Sequence, residues 1–174
     1  MRRFLDTLYL TSGALAALSI LLIGVVVILQ VAFNIITRLR LLEASLTIPS
    51  YADISGYLLA AASFLALAYA LTRGGHIRVT LVLNAGGPRL RHAADLFSLA
   101  VCGAISGVAV WYMANLNYQS FRFGDKSPGI LAIPIWIAQI PLTLGLAVLT
   151  IAFADLFMRT LRSGEPLPEI QQTE

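Results

Sequence analysis

The sequence predicts an all-α membrane protein with four transmembrane helices, on three observations. The apolar residues fall into four runs, 7–37, 54–72, 96–121 and 127–154, none holding an Asp, Glu, Lys or Arg. Each run matches the roughly 20 helical residues that cross a hydrocarbon core about 30 Å thick. Only 12% of the 174 residues are charged, whereas an average soluble domain carries about 25%. With 58% hydrophobic residues and a mean hydropathy of +0.81, the chain reads as polytopic. Finally, the basic residues are biased by side. Of the 12 Lys and Arg, eight (2, 3, 73, 78, 89, 91, 159 and 162) flank the two termini and the connection between the second and third runs. That bias predicts both termini and the central connection on the cytoplasmic side.

Met1-Arg2-Arg3 resembles the start of a signal peptide, but the apolar run that follows is too long for a cleaved one. It is expected to stay as the first helix, about 8–36. Gln30 and Asn34, four apart near its far end, should face another helix or the headgroups, since an unpaired amide in hydrocarbon is costly. A connection with Arg38, Arg40, Glu43 and Pro49 leads to Asp53. Asp53 is placed to cap the second helix, about 54–72, with Tyr51 and Tyr57 at the membrane boundary. Ala62, Ala66 and Ala70 form a small-residue stripe on which a neighbouring helix can pack.

Arg73-Gly74-Gly75-His76-Ile77-Arg78-Val79 then closes the second helix as a basic turn. Residues 76–83, too short to span and too apolar for an ordinary loop, predict a short interfacial segment between the second and third helices. The third helix, about 96–118, carries the GxxxG spacing Gly103 to Gly107, a signal for close helix contact that is common in membrane segments. Cys102 reads as a small packing residue. Asn115, Asn117 and Gln119 gather at the far end with Trp111, Tyr112 and Tyr118, either as interface anchors or lining a surface shared with a partner. After a connection with Arg122, Asp125 and Lys126, the fourth helix (about 134–156) opens at Pro134. Pro141 should kink it, with Gln139 placed to satisfy a backbone group that the proline frees. Residues 1–162 thus read as one transmembrane domain, and 163–174 as a disordered cytoplasmic tail.

Several function classes are excluded. No P-loop, HExxH, CxxC or GxSxG motif occurs, so catalysis has no candidate residues. His76 and His92 lie sixteen apart without Cys or clustered acids nearby, so neither a metal site nor a cofactor is expected in this chain. The pI of about 9.4 reflects bilayer topology and not a nucleic-acid partner, because the net charge is only +3 and the basic residues flank apolar runs. A carrier working alone usually keeps an ionisable residue or an unwound helix near the midplane. Here the acids Asp53, Asp95, Asp125 and Asp155 stand at helix ends. From the residues alone, the chain is a helical scaffold for another membrane protein.

These residues resemble the small membrane subunit of the tripartite ATP-independent periplasmic (TRAP) transporters, the DctQ-like family. The likeness runs from the first helix to about Arg162. Its most specific part is Ala70-Leu71-Thr72-Arg73-Gly74-Gly75-His76-Ile77-Arg78-Val79, similar to the family's Arg-x-Gly-x-His-Ile-x-Val turn. Gly87-Pro88-Arg89-Leu90-Arg91 with Asp95, and Ile133-Pro134-Ile135-Trp136 with Ile140-Pro141, resemble its later stretches. Two positions depart: Asp53, preceded by Ala52, stands where the family often has a Glu or a pair, and Thr80 where an acid is frequent. Contacts made through those acids are not carried over.

The resemblance implies a non-catalytic subunit in the bacterial inner membrane. Its large membrane partner would carry the substrate and sodium sites, and a periplasmic solute-binding protein would deliver an organic anion such as a carboxylate or acid sugar. Asp53, Asn115, Asn117, Arg122 and Lys126 would then be the contacts on the periplasmic side. Arg73, His76 and Arg78 would either touch lipid headgroups or pin the interfacial segment against the large subunit. An assembly subunit of another membrane complex, and an autonomous small carrier, are the competing readings.

Overall fold

A computed structural model describes residues 2–39, 47–73 and 87–163. Four helices account for most of them: α1 (Arg2–Arg38), α2 (Tyr51–Thr72), α3 (Gly87–Phe123) and α4 (Ile135–Ser163). All four are long and apolar enough to cross a membrane, and no strand occurs among the described residues. α1 and α3 have 37 residues each, about 55 Å of helix, so both outrun the hydrocarbon core at one end or the other. Helical hydrogen bonding continues beyond the charge-free runs at their ends. Arg40 and Glu43, the basic turn beyond Arg73, the segment 76–83 and the tail beyond Ser163 lie outside the described residues.

The helices form an open layer in the order α1, α2, α4, α3. α2 packs on α1 and on α4, and α3 packs on α4 alone among the described residues. α1 meets α4 only marginally. α2 and α4 run parallel, because Gly145 sits against Phe64 while Leu149 and Ala152 join Ala68 in one cluster. α1 and α3 run the opposite way. Ala16 of α1 packs with Ala61 and Leu65, and Gly103 and Gly107 of α3 lie against Phe153 and Thr150.

Small residues make this layer tight. Ten hydrophobic residues are buried among those described, and half are alanines: Ala16, Ala61, Ala62, Ala68 and Ala152. In lipid, association gains little from burying apolar surface, so packing depends on how closely backbones approach. The buried line on α2 is Ala61, Leu65 and Ala68; of the expected stripe, Ala62 is buried while Ala66 and Ala70 are half-buried beside it. The closest approach is at Gly145, where an added methyl would stand 2.5 Å from the Phe64 carbonyl carbon and 2.9 Å from the Leu65 nitrogen. Gly13 gives α1 the same freedom against the Tyr69 ring. The GxxxG pair is looser: methyls there would meet Phe153 and Thr150 side chains at 3.5 and 3.8 Å.

Other expectations are corrected in detail. Gln30 is buried and its Oε1 accepts the Ile48 N–H at 2.9 Å, whereas Asn34 is exposed. Cys102 is exposed on α3 and does not pack inside the layer. α4 runs through Pro141, but the Gln139 side-chain oxygen is buried with no hydrogen-bond partner among the described residues. The Thr143 hydroxyl donates instead to the Gln139 carbonyl at 3.0 Å, two residues from the carbonyl that the proline leaves free.

Candidate functional site

The charged side chains collect at the two ends of the layer. At the Asp53 end, α3 stops at Phe123 because Gly124 takes a left-handed conformation (φ 69°) and the Asp125 N–H returns to the Ser120 carbonyl at 3.1 Å. This is the glycine stop of a helix terminus, satisfying a carbonyl left without an intrahelical donor. The chain then turns back on itself. The Ser127 N–H donates to the Ile133 carbonyl (2.8 Å), the Ile135 N–H to the Asp125 carbonyl (3.0 Å), and Lys126 pairs with Pro134 in an antiparallel bridge. Pro134 thereby stands just before the first residue of α4.

This turn rests on the start of α2. Asp53 was expected to cap α2, but Ser50 holds the capping position and Asp53 lies inside the first turn, where its charge favours the helix dipole. Ser50 adopts φ 56°, a left-handed conformation that costs a non-glycine residue about 1 kcal/mol or more. Its hydroxyl makes no capping bond and instead accepts the Leu131 N–H at 3.0 Å. Gly129 lies directly against the Asp53 carboxylate, at a spot with no room for a side chain. Asp53 is thus shielded by the turn and half-buried.

The other predicted residues at this end divide. Asn117 donates across to the Trp136 carbonyl at 3.4 Å, next to an edge-to-face contact of Phe121 and Trp136 with centroids 5.4 Å apart. It ties α3 to α4. Asn115, two residues away and so on another face, donates to its own helix at Trp111 (3.0 Å) and is exposed. Arg122 and Lys126 are exposed, as is Ile130, 86% accessible at the tip of the turn.

At the opposite end, Arg73 follows the last residue of α2, exposed, with its guanidinium 5.4 Å above the Tyr69 ring. Arg159 grips Asp155 one turn earlier on α4 through two contacts, 2.5 and 3.0 Å. His76 and Arg78 fall outside the described residues. Ser50, Gly129 and Gly145 escaped the sequence reading. Their roles depend on which helix lies opposite, and nothing local encodes that.

A family model described as tripartite ATP-independent periplasmic transporters, DctQ component, matches residues 26–163. The chain belongs to this family. No curated protein and no solved structure matches it. As a DctQ component, the protein is the small membrane subunit of a TRAP transporter, a multi-pass chain that associates with other components of the tripartite system. The match takes in the layer's centre, the Asp53 end and the Asp155–Arg159 pair, but starts inside α1.

Proposed function

We propose that this TRAP subunit is a stationary scaffold that takes no direct part in moving cargo. The observation that carries this reading is that residues 7–37, 54–72, 96–121 and 127–154 contain no Asp, Glu, Lys or Arg. A charge at mid-membrane costs about 2.5–3.5 kcal/mol on insertion scales and is kept chiefly for function. In a transporter subunit without one, sodium and an organic anion (a carboxylate or acid sugar) are handled by a larger membrane partner. The chain itself needs no cofactor and catalyses no reaction.

Both termini face the cytoplasm of the bacterial inner membrane, following the eight-to-four bias of Lys and Arg. The Asp53 end is then periplasmic, where Asp53, Asn115, Arg122 and Lys126 meet the partner or an arriving solute-binding protein, and Asn117 holds their platform. Arg73, His76 and Arg78 anchor the cytoplasmic side at the lipid surface. Residues 20–29 of α1 bury no side chain, which leaves that stretch open to a partner helix.

Reconstitution tests this. Sodium-driven uptake should require the large subunit and binding protein together with this chain, and the purified chain alone should neither transport nor retain solute. Uptake by the chain alone would overturn the scaffold reading. A periplasm-only reporter fused at Gly86 should stay silent, and strong activity there would reverse the orientation.

A further inference from the structure

A polar cavity of about 430 Å3 opens at the end of the layer where α1 begins and α2 and α4 finish. Its charged lining is Arg2, Asp6, Arg73, Asp155 and Arg159, with Tyr9 at its inner wall. Asp155 and Arg159 neutralise each other. Arg2, Arg73 and Asp6 make no ion pair among the described residues, so the cavity presents two guanidinium groups and one carboxylate. Tyr9 itself is 4% exposed, and its hydroxyl is buried beside Asp155. Leu10, 56% exposed, and Leu156 form an apolar part of the wall, continuous with the spans of α1 and α4.

We infer that this cavity binds the headgroup of a zwitterionic aminophospholipid. The phosphate lies between Arg2 and Arg73, where paired guanidinium groups give charge-assisted bonds. The free ammonium donates to Asp6, and the acyl chains leave past Leu10 and Leu156. A purely anionic headgroup would set its charge against Asp6, and a quaternary choline has no N–H to donate. Soluble phosphate matches the two arginines but has no use for the leucine wall. The inference deepens the lipid-anchor role of Arg73 and requires only that the chain sits in a bilayer, so it stands whether or not the scaffold role does.

The test is lipid retention by the full chain, extracted in mild detergent and washed, with bound phospholipid quantified by mass spectrometry. Wild type should retain phosphatidylethanolamine in preference to phosphatidylglycerol and phosphatidylcholine. Arg2→Gln and Arg73→Gln should each lower retention about tenfold, equivalent to about 1.4 kcal/mol. Asp6→Asn should reverse the preference towards phosphatidylglycerol, a change that a merely structural role would not produce. If Arg73→Gln fails to fold, Arg2→Gln, at the exposed first residue of α1, decides the matter. Unchanged retention in a folded Arg2→Gln chain, an unaltered headgroup preference in Asp6→Asn, or displacement of the lipid by inorganic phosphate would each overturn the inference.

Discussion

Gly145→Ala is the sharpest probe of how the layer is held together. The added methyl would stand 2.5 Å from the Phe64 carbonyl carbon, 2.6 Å from its oxygen and 2.9 Å from the Leu65 nitrogen. Carbon atoms rest at about 3.5–4.0 Å, so α2 and α4 must part by about 1 Å. No rotamer can relieve the clash, since the opposing atoms are backbone. A gap of that size forfeits about a quarter to a half of the dispersion attraction where Ala68 meets Leu146, Leu149 and Ala152. Overpacking of this kind costs about 1–3 kcal/mol, while alanine returns about 1 kcal/mol of helix propensity. The net loss is then up to about 2 kcal/mol, as much as roughly 30-fold in the folded-to-unfolded ratio. Gly24→Ala supplies the control, because nothing lies within 4 Å of that position and only the propensity gain applies. Gly103→Ala, whose nearest neighbour stands at an ordinary 3.5 Å contact, should share that gain. Unfolding the full chain in detergent with increasing SDS, followed by far-UV circular dichroism, should rank Gly24→Ala above wild type and Gly145→Ala last. A Gly145→Ala chain as stable as Gly24→Ala would refute the backbone contact.

Three further substitutions report on the polar contacts. Ser12→Ala removes the hydroxyl that donates to the Leu65 carbonyl at 2.5 Å and should cost about 0.6–2 kcal/mol in the same titration. Ser19→Ala, which loses only a bond to its own helix at Leu15, should be nearly neutral. Gln30→Leu strands the Ile48 N–H; a loss of about 1–3 kcal/mol and faster hydrogen exchange at Ile48 are expected. Gly129→Ala drives a methyl into the Asp53 carboxylate and should speed exchange of the Leu131 amide held by Ser50. Adding Asp53→Ala should restore much of that protection, and strictly additive effects would show that the two sites do not touch.

The membrane spans were legible because insertion depends on composition: a run free of charge crosses, whatever stands beside it. Helix ends were less so. Hydropathy marks the part of α1 and α3 at membrane depth, while the helices themselves run from Arg2 and from Gly87. Neighbour order was not legible at all. GxxxG promised the close approach, yet the tight contact falls on the isolated Gly145, because α4 lies between α2 and α3. Asp53 looked like a cap from its distance to Pro49, but the capping position falls to Ser50, whose left-handed conformation and bond to Leu131 no local pattern announces. Of the predicted contacts, Asn117 and Asp53 prove to be partly engaged within the chain, whereas Asn115, Arg122 and Lys126 remain exposed.

The distribution of tight and loose contacts bears on the proposed role. α4 is locked on one side by backbone contact with α2, packs more loosely on the other against Gly103 and Gly107 of α3, and has its start fixed through Lys126 and Pro134. A helix held this way has little room to slide, since packed interfaces hop between discrete arrangements and do not deform continuously. Freedom lies at the edges, in the loosely packed stretch 20–29 of α1 and the outward face of α3 with Phe97, Ile105, Trp111 and Tyr112 exposed. Apolar exposure is no penalty in lipid, so these faces gain affinity for a partner through shape and through polar groups at their ends. A stiff centre with open flanks suits a subunit that stays still while its partner moves. The same build would hinder a carrier that had to open and close around its own cargo.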